Sequence, residues 1–86
     1  MKATIKSPDE LTTIRIEGNA GTYKIFTSFR PTEAPAFVDA VEKNYRLVEI
    51  KNVAGGKGYF LIHCKKEKQG NILENLTAIL YDNVRF

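Results

Sequence analysis

The chain is poor in the side chains on which catalytic and metal sites depend. Its 86 residues include one cysteine, one histidine and no tryptophan. A lone cysteine excludes an internal disulfide, and no spacing of Cys, His or carboxylates matches a metal site. His63 and Cys64 are neighbours, and neighbours on a strand point to opposite faces, so they cannot act as a catalytic dyad. We therefore predict that the protein is not an enzyme and uses no metal and no cofactor.

Long apolar runs are also missing. None approaches the roughly 18 residues that a membrane-spanning helix needs, and Met1–Lys6 lacks the apolar core of a secretory signal. We therefore predict a cytoplasmic protein, or a viral protein that acts in a cytoplasm, with no membrane partner. The composition, 43% hydrophobic and 27% charged over 86 residues, is typical of one small globular domain that spans residues 1–86.

The charge is modest and unevenly distributed. The net charge is +3, and residues 1–44 carry as many acidic as basic side chains. Residues 45–86 therefore hold the whole excess, which is concentrated around Lys57, Lys65, Lys66 and Lys68. A basic excess suits an anionic partner, although small domains often have as much by chance.

Two hairpins are predicted from alternating apolar runs that flank glycine-containing turns. The stretches Tyr45–Val53 and Tyr59–Lys65 enclose the loop Ala54–Gly58, which contains three glycines. Earlier in the chain, Leu11–Glu17 and Tyr23–Phe29 alternate in the same way around a Gly-Asn-Ala-Gly turn. These four runs are predicted to form the strands of one sheet.

Each hairpin is followed by a segment with the apolar spacing of a helix, over Pro31–Asn44 and Asn71–Asp82. The order ββαββα predicts an α+β fold, a four-stranded antiparallel sheet with two helices on one face, which is a permuted ferredoxin-like arrangement. Tyr23–Phe29 and Tyr59–Lys65 are then the inner strands. Short edge strands over Ala3–Ile5 and Asn83–Phe86 remain open alternatives.

Helices on one face leave the other face of the sheet open. The alternation of the strands predicts which side chains lie under the helices: Ile14, Ile16, Tyr23, Ile25, Phe29, Val48, Ile50, Phe60, Ile62 and Cys64. The same alternation predicts an open face that carries Phe26, Tyr45, Leu47, Tyr59, Leu61 and His63 among Arg15, Lys24, Lys51 and Lys65. So much apolar area on an uncovered face is typical of a binding surface.

The segment from Lys57 to Cys64 partly resembles a ribonucleoprotein motif of RNA-recognition domains. Lys57, Gly58, Tyr59 and Ile62 fit that motif, in which aromatic side chains alternate along a strand of a ferredoxin-like sheet. Phe60 and Leu61 depart from it, although Phe26 corresponds to the stacking ring of the partner motif. The resemblance covers two strands and implies a similar sheet geometry rather than membership of the family.

Two functional hypotheses follow from this open face. The first is a protein-interaction module, for example an adaptor, an inhibitor or a viral accessory protein, that binds a partner or a second copy of itself. The alternative is a module for single-stranded nucleic acid, in which Phe26 and Tyr59 stack on bases while lysines contact phosphates, namely Lys24, Lys51, Lys57 and Lys65. The weak net charge and the apolar face favour the first hypothesis.

Overall fold

The computed structural model describes residues 1–83 as an α+β domain with an antiparallel sheet and two helices. The strands are β1 (Lys2–Lys6), β2 (Thr13–Asn19), β3 (Thr22–Thr27), β4 (Arg46–Val53) and β5 (Lys57–His63). The helices are α1 (Pro35–Asn44) and α2 (Ile72–Asn83), preceded by the 3₁₀ segments Pro31–Glu33 and Lys66–Asn71.

The sheet has five strands in the order β1-β2-β3-β5-β4, so the prediction of a four-stranded sheet is wrong. The additional strand is β1, which pairs with β2 from Lys2 opposite Glu17 to Lys6 opposite Thr13. It contains the segment Ala3–Ile5 that the sequence left open. The alternative strand over Asn83–Phe86 concerns residues 84–86, which lie outside the described residues, and Asn83 itself ends α2.

A compact turn between β1 and β2 holds the additional strand in place. The backbone N–H of Ser7 donates to the carbonyl of Thr12 over 2.8 Å, and the N–H of Thr12 donates to Oγ of Ser7 over 3.1 Å. The Ser7 hydroxyl in turn donates to the carboxylate of Asp9, which also accepts the N–H of Leu11 at 3.0 Å. Local side-chain hydrogen bonds of this kind are what make Ser and Asp favourable in turns.

Both helices pack on the same face of the sheet. The buried cluster joins Phe37 of α1 and Leu76 of α2 to the sheet side chains Ile14, Ile16, Ile25, Phe60 and Ile62. Within it, the ring of Phe37 lies 5.5 Å from that of Phe29 and 5.4 Å from that of Phe60, measured between centroids. The opposite face carries no helix among residues 1–83, and we call it the open face.

An irregularity in β4 changes which of its side chains reach the open face. Leu47 lies opposite Ile62 and Glu49 opposite Leu61, so Val48 is an extra residue, a β-bulge. Leu47 therefore shares the helix-covered face with Ile50, and Arg46 points to the open face with Glu49. Val48, predicted to be buried, is 48% exposed.

The bulge also places on the helix-covered side two residues that were predicted for the open face. Tyr45 is buried, with 5% of its surface exposed, and belongs to the core cluster. Leu47 is partly buried and packs against the same cluster. Both placements were wrong because a strict alternation was assumed along β4, and one inserted residue reverses the facing of everything before it.

The helix predicted over Pro31–Asn44 is interrupted at Ala34. The first part is a 3₁₀ turn, and α1 begins at Pro35 with Ala34 as its N-cap residue. A proline is tolerated at this first position because the helix requires no hydrogen bond from its nitrogen there. The 3₁₀ turn is fixed to the edge of the sheet, since the Asn52 amide donates to Oγ1 of Thr32 at 2.7 Å.

The β2–β3 turn offers a test of the hairpin geometry. Its two central residues, Ala20 and Gly21, have φ values of 52° and 88°. Both lie in the left-handed region, as in a type I′ turn, for which Asn-Gly is the preferred pair.

We expect Ala20→Asn to raise the free energy of unfolding by about 1 kcal/mol in urea titrations, because a left-handed alanine is strained. Gly21→Ala should lower it, since the added Cβ would lie 3.0 Å from the Cys64 carbonyl oxygen. A loss of stability in Ala20→Asn would contradict this geometry.

Acid titration tests the turn that holds β1. The hydrogen bond from Ser7, followed by that from Leu11, holds the pKa of Asp9 below its ordinary value of 3.8. A carboxyl group with a lowered folded-state pKa stabilises the fold above its unfolded pKa, and this contribution disappears as the pH falls through the folded-state value. We expect Asp9→Asn to be less stable than wild type at pH 6 and equally stable well below pH 3.8, as measured by urea unfolding. A difference that persists in acid would contradict a role for the carboxylate charge.

A candidate nucleic-acid interface on the open sheet face

Strand register brings aromatic and basic side chains into one row across the open face. Arg15 lies opposite Phe26, Phe26 opposite Tyr59, and Tyr59 opposite Lys51. We call these four residues the aromatic row. The two rings occupy neighbouring inner strands, with one cationic residue on each outer side. The adjacent row places Lys24 beside Leu61.

The rings of the aromatic row are in contact with the cations around them. The centroids of Phe26 and Tyr59 are 6.4 Å apart, with the ring planes inclined at 56°. The Arg15 guanidinium carbon is 4.4 Å from the Phe26 centroid, and Nζ of Lys24 is 4.2 Å from the Tyr59 centroid. Cation–π contacts of this kind contribute about 0.5–1 kcal/mol at exposed sites. They hold both rings, which are half-buried, next to positive charge.

The Tyr59 hydroxyl is fixed from the neighbouring edge strand. It donates a hydrogen bond of 3.1 Å to Oε1 of Glu49. Partial desolvation, followed by this hydrogen bond and the carboxylate charge, raises the pKa of Tyr59 above its ordinary value of 10.0. The neutral phenol therefore persists through the physiological range, and its ring carries no negative charge that would repel a phosphate.

The open face is far more basic than the chain as a whole. Strand pairing assigns it seven basic and two acidic side chains, a net +5, whereas the chain carries +3, so the remaining residues together carry −2. The two acids are Glu17 and Glu49. The basic residues are Lys2, Lys6, Arg15, Lys24, Arg46, Lys51 and Lys57.

Most of this positive charge is not neutralised by an ion pair. Glu17 pairs with both Lys2 and Arg15, each at 3.4 Å. Within residues 1–83, the other five cations of the face have no carboxylate within 4.0 Å, because the third ion pair, Arg30 with Glu33, lies elsewhere. Surface pairs are weak in any case. Among the described residues, no carboxylate would therefore compete with an anion for these five cations.

A shallow depression of about 360 Å³ adjoins the aromatic row at the end of the face where β5 begins. Its wall includes the Phe26 ring and two basic side chains, Arg15 and Lys57. A ring beside two cations can accept a planar group against its face and a phosphate at its edge.

The structure brings most of the predicted site residues together. Phe26, Tyr59, Leu61, His63, Lys24, Lys51 and Lys57 all lie on the open face. Oγ1 of Thr22 and Nδ1 of His63 lie 3.2 Å apart there. Lys65 follows the end of β5, at the corner of the sheet beside Arg46. Tyr45 and Leu47 are separated from the others by the sheet itself.

Sequence reasoning missed three basic residues of the face. Lys2 and Lys6 alternate with Ala3 and Ile5, so a strand over β1 would have placed both lysines correctly. Arg46 gave no such signal, because its direction depends on the bulge at Val48.

Comparisons with protein-family models, with curated proteins and with solved structures found no match to this chain. Among residues 1–83, no helix combines the length and the apolarity needed to cross a membrane. The same residues contain no group of three or more His, Cys, Asp or Glu side chains placed to hold a metal ion.

The contact between Tyr59 and Glu49 leads to a direct test of the site geometry. Glu49→Gln removes the charge that disfavours the phenolate, so we expect the pKa of Tyr59 to fall in an NMR pH titration of its ring. Glu17→Gln removes the same charge from the same face but does not contact Tyr59, and it should leave this pKa almost unchanged. Equal shifts in both variants would show that the two side chains are not in contact.

Proposed function

We propose that the protein binds single-stranded nucleic acid on its open face. Bases stack on Phe26 and Tyr59, and phosphates contact the cations around them, chiefly Lys24, Lys51 and Lys57. The observation that carries this proposal is the aromatic row itself, two rings with a basic residue at each end, on a face that holds a net +5. Stacking suits such a face because every base presents an aromatic plane.

The composition of the open face favours this proposal over a purely apolar interface. Tyr45 and Leu47, which would have made the face more apolar, belong to the helix-covered side. Arg46 takes their place, and β1 adds two lysines at the other edge. Arg15 strengthens the case, because a guanidinium that lies over a ring can also stack on a base.

A protein partner or a second copy of the chain is the second candidate. The observation that favours it is a continuous apolar ridge of half-buried Phe26, Tyr59 and Leu61, next to an edge strand that exposes Val48 and Val53. Light scattering at high protein concentration tests the homodimer directly. Self-association that persists in high salt would support this candidate, and a strict monomer would contradict the homodimer.

In both candidates the protein acts as a binding module in a cytoplasm rather than as an enzyme. Cys64 is buried, and burial raises the pKa of its thiol, which disfavours the nucleophilic thiolate. His63 is exposed on the other side of the sheet, where it cannot activate Cys64.

Substitution of the two rings tests the proposed function. Each stacked base contributes about 1–3 kcal/mol, so Phe26→Ala or Tyr59→Ala should weaken binding by about 5- to 150-fold. The measurement is fluorescence anisotropy with a labelled single strand of twelve nucleotides at low salt. Tyr81→Ala is the matched control, because Tyr81 is an exposed aromatic residue on α2 and should not affect binding.

Two results would contradict the proposal. One is that wild type does not bind the single strand at low salt. The other is that binding occurs but the two ring variants bind as tightly as Tyr81→Ala.

A further inference from the structure

A second basic region lies at the corner of the sheet where β4 begins and β5 ends. It is a depression of about 390 Å³, which we call the corner depression. Four of its lining residues are cationic and one, Glu42, is acidic. The cationic residues are Lys43, Arg46, Lys65 and Lys68.

The cations of the corner depression have no ion-pair partners within residues 1–83. Lys68 is partly buried and already held in place, because its ammonium donates a 3.2 Å hydrogen bond to the carbonyl of Asn44. This carbonyl lies at the C-terminal end of α1, where the helix dipole is negative and favours cations. The favourable interaction of cations with the C-terminal end of α1 is sufficient to explain the positions of Lys43 and Lys68.

Arg46 and Lys65 cannot be explained by the helix end. Arg46 belongs to the open face, where it lies opposite His63, and Lys65 follows two residues after His63. These two side chains add further positive charge to a concave site, beyond the cations that interact with the C-terminal end of α1. A concave cluster of unpaired cations is suited to an oxyanion with several negative oxygens, such as a phosphate group.

The corner depression is continuous with the open face. Arg46 belongs to both, and β5 runs from Tyr59 of the aromatic row to His63 at the edge of the depression. Four strand residues span about 14 Å. Nucleotides of a duplex strand follow one another at about 3.4 Å along the axis, and a strand whose bases stack on protein rings is more extended, so this distance corresponds to at most about four nucleotides.

We propose that the corner depression is a phosphate-binding subsite. If the proposed function is correct, it holds the backbone of the same single strand at most about four nucleotides from the bases on the aromatic row. The ligand class is a phosphodiester chain, and a free phosphate oligoanion presents the same oxygens to the subsite.

The first experiment uses pyrophosphate alone, so it does not depend on nucleic-acid binding. Wild-type protein is titrated with pyrophosphate at low salt and followed by amide NMR. We expect saturable shifts concentrated in residues 43–46 and 63–68. Lys65→Glu should weaken this binding about tenfold or more, which corresponds to the loss of one charge-assisted hydrogen bond. Lys66→Glu carries the same change in net charge at an exposed neighbour outside the lining and should bind nearly as wild type.

Shifts that do not saturate, or that spread equally over Lys51 and Lys57, would overturn the subsite. An equal loss of binding in Lys65→Glu and Lys66→Glu would also overturn it, because the effect would then reflect net charge alone. The Lys65 side chain is exposed, and circular dichroism can verify that both variants are folded.

The second experiment tests the path of the strand with oligonucleotides of two to eight residues. Wild type should gain about tenfold or more in affinity once the oligonucleotide exceeds about four residues, because it then reaches both sites. Lys65→Glu should lose this gain, and Lys66→Glu should keep it. If oligonucleotides bind through Phe26 and Tyr59 but Lys65→Glu keeps the gain, the subsite proposal fails and the proposed function stands. If pyrophosphate binds at the corner but no oligonucleotide binds, the proposed function fails and the subsite stands.

Discussion

The helices cover one face of the sheet and leave the other open, and the rest of this structure depends on that arrangement. Each strand must divide its side chains between a dry face and an open one, and the register between strands decides which open-face side chains become neighbours. Here the dry face is a compact cluster around Phe37 and Phe60. The open face receives the side chains of opposite parity, and the antiparallel pairing of β3 with β5 brings Phe26 next to Tyr59.

The properties of the open face follow from this division. The acidic residues of the helices lie on the other side of the sheet. The open face is therefore more basic than the chain as a whole, whose net charge of +3 is ordinary for a small domain. The bulge at Val48 increases this difference in charge between the open face and the chain, because it turns Leu47 into the core and Arg46 onto the open face. Aromatic rings among cations, five of which have no ion-pair partner within residues 1–83, are a combination that suits a polyanion with flat bases better than an apolar protein surface.

Much of the fold could be predicted from sequence because its signals are local. The glycine-containing loop between β4 and β5 predicts their hairpin, and the apolar spacing of Leu76 and Leu80 predicts α2. β1 is short and pairs with a single neighbour, from Lys2 opposite Glu17 to Lys6 opposite Thr13, and this pairing depends on the position of β2 and not on the local pattern of β1. That dependence explains why a four-stranded sheet was predicted.

The site was predictable in part for the same reason. Phe26, Tyr59 and Leu61 lie on regular strands, where alternation gives the correct face. Tyr45, Arg46 and Leu47 all precede an inserted residue, Val48, whose presence depends on pairing with β5 and not on the local pattern. The corner depression is still less accessible to sequence reasoning, since Lys43, Arg46 and Lys68 come from a helix, a strand and a 3₁₀ segment.

The central claim is that the open face presents to a single-stranded polyanion cations that are not ion-paired within residues 1–83. The salt dependence of binding tests this claim most directly, because each neutralised phosphate on a single strand contributes a slope of about −0.7 to a plot of log K against log salt concentration. Contacts from Lys24, Lys51 and Lys57 predict a slope of about −2. A slope close to zero would contradict the account, because the cations of the open face would then not be in contact with the strand.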